Sequence, residues 1–127
     1  MSKGAELIAK ERTRQIDQEG WTIEHDDEHG DGDLAMAACC YAAPVNIFEW
    51  RTFANGMAFV DPWPWDVIHD KRYEYGDCRE GGVHQGANFV PDPVTYDDGE
   101  RLDLLVKAGA LIAAEIDRLL RKKETSD

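Results

Sequence analysis

Residues 96–123 read YDDGERLDLLVKAGALIAAEIDRLLRKK, and this stretch decides the fold class. Asp97 is followed three residues later by Glu100, a capping-box pattern that predicts a helix over residues 99–123. A glycine inside a helix costs roughly 1 kcal/mol against alanine, so Gly109 indicates that another helix packs closely there. Apolar residues recur at helical spacing, and we expect them to form one stripe against the core: Leu102, Leu105, Val106, Gly109, Ile112, Ala113, Ile116, Leu119 and Leu120.

A first helix is predicted over residues 4–19. Leu7 and Ile8 mark its apolar side, and steps of three and four residues bring Glu11 and Gln15 onto that side. An inward carboxylate is costly unless it is paired or ligated. Glu11 is therefore either half of a structural salt bridge with a nearby arginine or part of a binding site.

A second helix is predicted from LAMAACCYAA, residues 34–43, which ends before Pro44. It is apolar around its whole circumference, a pattern typical of a central helix. Asp31 or Asp33 is expected to supply its N-cap.

Residues 44–98 are rich in aromatic side chains and lose clear periodicity, so we predict an irregular segment in which a short hairpin is an alternative. DPWPWD, residues 61–66, is a proline-punctuated turn that is expected to open a short helix through Ile68. The glycine-rich residues 78–93 are predicted to be loop. The tryptophans of this segment are candidates for stacking on a base, or for filling the core: Trp50, Trp63 and Trp65.

The whole chain, residues 1–127, is thus predicted to be one mostly α domain, a small bundle of about three main helices. Helix, acidic loop and helix occupy residues 1–43, and the irregular aromatic-rich segment follows over residues 44–98. The C-terminal helix over residues 99–123 is followed by a frayed tail, residues 124–127.

The net charge of −12, from 14 basic and 26 acidic residues, argues against a general binder of nucleic acid or of anionic membranes. Cys39, Cys40 and Cys78 are an odd number without CxxC spacing, and we interpret the adjacent pair as small buried thiols in a reducing cytoplasm. The first residues lack a signal-peptide core, and no run of 18 apolar residues occurs. Export and membrane insertion are therefore not expected.

The stretch GWTIEHDDEHGDGD, residues 20–33, is the candidate metal site. His25, Asp27 and His29 alternate, so they share one side of an extended loop, whereas in a helical turn the two histidines share a face. Either arrangement could offer imidazoles and a carboxylate to a divalent metal ion, and Glu11 could complete the set. The alternative is a hydrophilic loop whose acids cap the next helix and whose histidines titrate in water.

The same junction is the candidate site for a small-molecule ligand. Arg14 and Gln15 would fix a polar, nucleotide-like ligand, and Trp21 would stack on it or form a wall. None of the common nucleotide-loop or serine-hydrolase motifs occurs, so no catalytic residue is identified.

Four segments carry a resemblance to known proteins: ERTRQIDQEGWTIEHDDEH at 11–29, GDLAMAACCYA at 32–42, WPW at 63–65 and LVKAGALIAAEIDRL at 105–119. Together they resemble a family of small proteins encoded by tailed phages and prophages. That family has no established activity, so the resemblance implies a setting, the host cytoplasm, rather than a mechanism. GWTIEHDD, residues 20–27, is also similar to part of the ryanodine-receptor repeat modules, which are suspected ligand-binding units.

Three functional hypotheses follow. The first is an accessory phage protein that binds a divalent metal or a nucleotide-like ligand, with metal-assisted hydrolysis of a phosphate ester as the reaction if it is an enzyme. The second is a non-enzymatic acidic protein that inhibits a basic host protein as a counter-defence, with binding that weakens as salt rises. The third is a homo-oligomer packed through the C-terminal helix.

Overall fold

The computed structural model describes residues 1–72, 84–85 and 96–125. Within these ranges the chain forms four α-helices: α1 (Lys3–Glu19), α2 (Ile23–Asp27), α3 (Asp33–Ala42) and α4 (Asp98–Thr125). Three antiparallel strands form a small sheet in the order β1–β2–β3: β1 (Glu49–Phe53), β2 (Gly56–Val60) and β3 (His84–Gln85). A short 3₁₀ helix spans Val67–His69. No helix among these residues is both long and apolar enough to cross a membrane.

The mostly α prediction is confirmed, and in the middle segment the short hairpin that was the alternative is present. The hairpin of β1 and β2 replaces part of the predicted irregular stretch, since Trp50 pairs with Phe59 across the strands and their rings lie 4.7 Å apart. The expected loop over residues 78–93 falls outside the described residues except at β3, where the chain is extended. The predicted tail is also partly helical, because α4 continues to Thr125.

Both ends of α1 follow from local chemistry. The Ser2 hydroxyl accepts a hydrogen bond from the Ala5 backbone N–H, which satisfies one of the unpaired donors of the first turn. At the other end Gly20 has a φ of 72°, in the left-handed region that glycine adopts without a steric penalty, and its N–H donates to the Gln15 carbonyl. At α4, Asp97 and Glu100 exchange backbone and side-chain hydrogen bonds, so the predicted capping box is confirmed.

The orientation predicted for α4 is wrong. The large apolar residues of the expected stripe are between 42% and 56% exposed: Leu102, Leu105, Ile112, Ile116, Leu119 and Leu120. The opposite face is buried against α1 and α3: Leu104, Lys107, Ala108, Ala110, Leu111, Ala114 and Arg118. Its alanines allow α3, which is also rich in alanine, to come close, so small side chains decide which face is buried. Lys107 and Arg118 are tolerated there because they pair with Asp103 and Glu115.

The α3 helix is buried on one side only, which differs from the predicted central helix. Leu34, Ala37 and Tyr41 lie in the core, but Met36 is 38% exposed and Cys39 is exposed. The predicted aspartate cap is also wrong, because Gly32 occupies the N-cap position without a side-chain hydrogen bond.

The two adjacent cysteines differ in exposure. Burial raises the pKa of Cys40 to about 12, so this thiol is unreactive near neutral pH. Cys39 is exposed, so the expectation of two buried thiols is half correct, and Cys78 lies outside the described residues.

Tyr41 fixes the segment that follows the WPW motif. Its hydroxyl donates to the His69 carbonyl and accepts from the Lys71 N–H, at 3.2 and 3.0 Å. Trp63 is 6% exposed and packs 5.1 Å from the Tyr41 ring, within the core shared by α3 and α4. These contacts hold the neighbouring Trp65 and His69 beside the end of α1.

Gly109 is where α1 meets α4, as its position in the sequence predicted. A Cβ added there would lie 2.5 Å from Ile8 Cδ1 and 2.7 Å from Ile8 Cγ1. Gly109→Ala should therefore lower the free energy of unfolding by about 1 kcal/mol, because overpacking outweighs the helix propensity of alanine. In an Ile8→Ala background the clashing atoms are gone, and the same substitution should stabilise the fold by up to about 1 kcal/mol. Urea denaturation of the four proteins tests this reversal, and the same sign in both backgrounds would contradict it.

Candidate ligand-binding site

The acidic stretch predicted as a loop contains the short helix α2. The Thr22 hydroxyl accepts from the His25 N–H at 3.4 Å, and Glu24 and Asp26 lie in the first turn, where carboxylates are favourable. This turn directs successive side chains to different surroundings, so the stretch does not act as one cluster of acids.

Asp26 anchors α2 to α1. Its side chain is fully buried, and one carboxylate oxygen accepts from Arg12 Nη2 at 2.7 Å. The other oxygen lies 3.1 Å from His25 Nδ1. Arg12 also donates to the Trp21 carbonyl at 3.4 Å, so one guanidinium fixes both the helix and the residue that precedes it.

Four rings meet beside α2, and we call them the ring cluster: Trp21, His25, His29 and Trp65. Trp21 stacks on His25 with ring centroids 5.4 Å apart and planes 2° from parallel. The two histidine rings lie 4.7 Å apart, and His29 meets Trp65 at 5.2 Å. The ring centroids of Trp65 and Trp21 lie 5.7 Å apart, so each of the four rings contacts two others.

The ring cluster borders an open cavity of about 400 Å³, a size within the range of small-molecule sites. We call it the ring cavity. The lining is aromatic, with imidazole and carboxylate groups: Glu19, Trp21, His25, His29, Trp65, Asp66 and His69. It is therefore formed by the end of α1, by α2 and by the segment around the WPW motif.

The two histidines of the ring cluster differ in which ring nitrogen carries the proton. His25 Nδ1 faces a carboxylate and so carries the proton, which leaves Nε2 of the neutral ring as an acceptor. Trp65 Nε1 donates to His29 Nδ1 at 3.3 Å, which requires the opposite tautomer, with the proton on Nε2. Asp33 also lies 3.4 Å from His29 Nδ1, and it accepts a hydrogen bond there only when Nδ1 carries a proton, in the other neutral tautomer or in the imidazolium. Neither Nε2 atom has a hydrogen-bond partner among residues 1–72, 84–85 and 96–125.

Glu19 supplies a fixed negative charge at the edge of the ring cavity. Partial burial opposes ionisation, but hydrogen bonds from Arg14 and Lys71 hold the pKa of Glu19 below its ordinary value. The Nη1 atom of Arg14 and the Nζ atom of Lys71 lie 3.1 and 3.2 Å from the carboxylate. Glu19 thus stays ionised at neutral pH and accepts hydrogen bonds only.

The predicted ligand residues on α1 are occupied by one another. Arg14 holds Glu11 through two hydrogen bonds of 2.8 and 2.7 Å, which raise the pKa of Arg14, and Gln15 donates to Glu11 at 3.3 Å. The salt-bridge interpretation of Glu11 is confirmed. Glu11 and Arg14 line a separate cleft of about 420 Å³ beside Val106, and Gln15 is buried.

The predicted metal set is not brought together. Asp27 lies away from the histidines and pairs with Arg121 Nη2 at 2.8 Å, in a cleft that also contains Arg118. Because Glu11 is held by Arg14, only His25 and His29 of the set are neighbours. Across the described parts of the chain, no group of three or more His, Cys, Asp or Glu side chains could hold a metal ion. The contacts within this stretch thus favour internal ion pairs over metal ligation.

Sequence reasoning identified Trp21, His25 and His29 and named Trp65 as a stacking candidate, but it missed Glu19, Asp66 and His69. The four-residue spacing of His25 and His29 is a local signal, because residues four apart share a face of a helical turn. Asp66 and His69 reach the cavity through contacts between distant segments, so no local pattern marked them. Glu19 lies two positions before Trp21, but its pairing with Lys71 joins distant segments. No family model, curated protein or solved structure matches this chain.

Proposed function

We propose that the chain binds a planar nitrogen heterocycle, such as the base of a nucleoside, in the ring cavity. The observation that carries the proposal is the closed ring cluster on the wall of a cavity of about 400 Å³. Stacking on an aromatic side chain contributes roughly 1–3 kcal/mol per base, and every base has a face that can stack.

The polar groups of the cavity fit the edge of a base. His25 Nε2 accepts and His29 Nε2 donates, and a base presents adjacent donors and acceptors on its Watson–Crick edge. Glu19 adds a further acceptor for an amino group of the ligand. Such a pair of opposite imidazoles discriminates against ligands that carry acceptors only, because one histidine would lose its partner.

Charge favours an uncharged ligand over a phosphorylated one. Glu19 and Asp66 line the cavity, and the nearby Lys71 is already paired with Glu19. The net charge of −12 also repels phosphate at long range. We therefore expect a nucleoside to bind at least as tightly as its monophosphate.

Calorimetry with adenosine, cytidine, guanosine and uridine tests the proposal, with adenosine monophosphate and ribose 5-phosphate as comparisons. At least one nucleoside should bind, and ribose 5-phosphate should not, because it lacks a base. Trp65→Leu should weaken that binding roughly 10-fold or more through lost stacking. The matched control is Trp50→Leu, since Trp50 packs on Phe59 in the hairpin and does not line the cavity.

Two results would contradict the proposal. One is the absence of binding heat with every nucleoside at millimolar concentration. The other is an equal loss of affinity in Trp65→Leu and Trp50→Leu, which would place the binding elsewhere.

The resemblance to phage and prophage proteins supplies the setting for this proposal. We place the chain in the cytoplasm of the host cell, where nucleosides and nucleotides are abundant. The absence of a membrane-spanning helix among the described residues is consistent with that setting.

A further inference from the structure

The outward side of α4 carries a regular apolar seam. Residues spaced alternately by four and three follow one another along it: Asp98, Leu102, Leu105, Gly109, Ile112, Ile116, Leu119 and Lys123. The five large side chains of this seam are 42–56% exposed. This alternation is the heptad pattern by which two helices pack knobs into holes.

The seam is symmetric about a point between residues 110 and 111. When two copies are laid antiparallel, Leu102 faces Leu119 of the second copy, and Leu105 faces Ile116. Each such layer pairs an a position of one helix with a d position of the other, as in antiparallel coiled coils. The apolar layers from residue 102 to residue 119 would extend over about 26 Å of helix.

The charges at the two ends of the seam select a second copy in the antiparallel direction. Asp98 in the first turn faces Lys123 of the other copy, and both residues are exposed. A parallel pair would place aspartate against aspartate and lysine against lysine, which is unfavourable. At the centre, Ile112 of one copy faces Gly109 of the other, where Ile8 of α1 fills the space above the glycine, so Ile112 would contact Ile8 in that layer.

We infer that the chain forms a homodimer through an antiparallel pair of α4 helices. This inference is independent of the ring cavity, because the seam lies on α4 and the cavity is lined by residues from other elements. The dimer removes five large apolar side chains per chain from water. An exposed apolar stripe of this length on a helix is otherwise an aggregation hazard.

Analytical ultracentrifugation of the full chain tests the dimer. The expected mass is twice the 14.3 kDa of the chain at micromolar concentration. Ile116→Glu should raise the dimer dissociation constant at least 100-fold, because it places a carboxylate in an apolar layer. The matched control is Ile68→Glu, since Ile68 is 76% exposed on the 3₁₀ helix, away from the seam, and this change should leave the mass at twice that of the chain.

Charge reversal tests the direction of the pair. Asp98→Lys and Lys123→Asp should each weaken the dimer about 5-fold, because both place like charges at the ends of the seam. A mixture of the two variants restores opposite charges at both ends and should form a heterodimer of wild-type affinity. Circular dichroism of each variant is the check that it is folded.

Three outcomes would overturn the inference. A monomeric chain at about 100 µM would do so, because a specific interface of standard size is stable well below that concentration. If Ile116→Glu and Ile68→Glu change the dimer dissociation constant equally, the seam is not part of the interface. Unchanged affinity in both charge variants would exclude the antiparallel pair.

Discussion

Arg72→Met is expected to lower the free energy of unfolding by about 3–5 kcal/mol, the largest effect that we predict for a single substitution. Arg72, Asp61 and Asp70 have side chains with no exposed surface, and Arg72 donates to both carboxylates at 2.8–3.2 Å. Removing the guanidinium takes away the positive charge that both buried carboxylates share. Because folded domains are stable by only about 5–15 kcal/mol, this variant should be close to unfolding at 37 °C.

The charge state of Arg72 supports this expectation. Burial alone would lower the pKa of Arg72, but its hydrogen bonds to Asp70 and Asp61 raise that pKa above the ordinary value. The guanidinium also lies 5.7 Å from the Trp63 ring centroid, so it contacts the aromatic core as well as the acids.

Thermal and urea denaturation measure the loss of stability. Two further variants are needed, one as a control and one as a rescue. Arg51→Met is the matched control, because Arg51 pairs with Glu49 on the exposed hairpin and should change stability by less than about 0.5 kcal/mol. The triple variant Arg72→Met/Asp61→Asn/Asp70→Asn should recover at least half of the lost free energy of unfolding, since the three buried charges are then all removed. A loss in Arg72→Met as small as that of the control would contradict the account of this cluster.

Arg12→Met is expected to cost about 3 kcal/mol of stability and to weaken binding in the ring cavity. Asp26 is fully buried, whereas Arg12 retains 14% exposure, so water can reach the gap and the loss should be smaller than at Arg72. Without the guanidinium, His25 is the remaining side-chain hydrogen-bond partner of the carboxylate within the described part of the chain. The position of the His25 ring then changes, because Arg12 no longer holds Asp26 or the Trp21 carbonyl.

Denaturation of Arg12→Met is best compared with the double variant Arg12→Met/Asp26→Leu. The double variant should regain most of the stability, because an apolar pair replaces a broken ion pair. It should not regain nucleoside affinity, since His25 loses the acceptor that sets its tautomer. Full affinity in the double variant would show that Asp26 has no part in ordering the ring cluster.

Features of the fold that depend on neighbouring residues were predictable from the sequence. The ends of α1, the capping box of α4 and the pairing of Glu11 with Arg14 all join residues at most five positions apart. The position of Gly109 was also informative, because a glycine in a helix is costly without a packing reason.

The orientation of α4 was not predictable in this way. The helix has two apolar faces, one with large side chains and one dominated by alanine. Periodicity favours the face with the larger side chains, whereas close approach of α3 and α4 favours alanine. If α4 pairs with a second copy, both faces are covered, and the large residues that the sequence assigned to a core belong to an interface between chains.

The candidate site was partly predictable for a related reason. The spacing of His25 and His29 predicted that the two imidazoles share a face, and Trp21 was assigned to the same junction. The same spacing indicated a metal site because Asp27 lies between the histidines. The ion pair of Asp27 with Arg121 joins residues 94 positions apart, so no local pattern could exclude that carboxylate from the set.

The most direct measurement of the central claim is a ¹H–¹⁵N NMR titration of the histidine imidazoles and tryptophan indoles with the nucleoside that binds most tightly. Before addition, the neutral His25 ring should carry its proton on Nδ1 and the neutral His29 ring on Nε2. On addition, both Nε2 signals and the Trp65 indole signal should shift together, whereas the Trp50 indole should stay unchanged. If the ring-cluster signals do not move, or move no more than that of Trp50, the ring cavity is not the binding site.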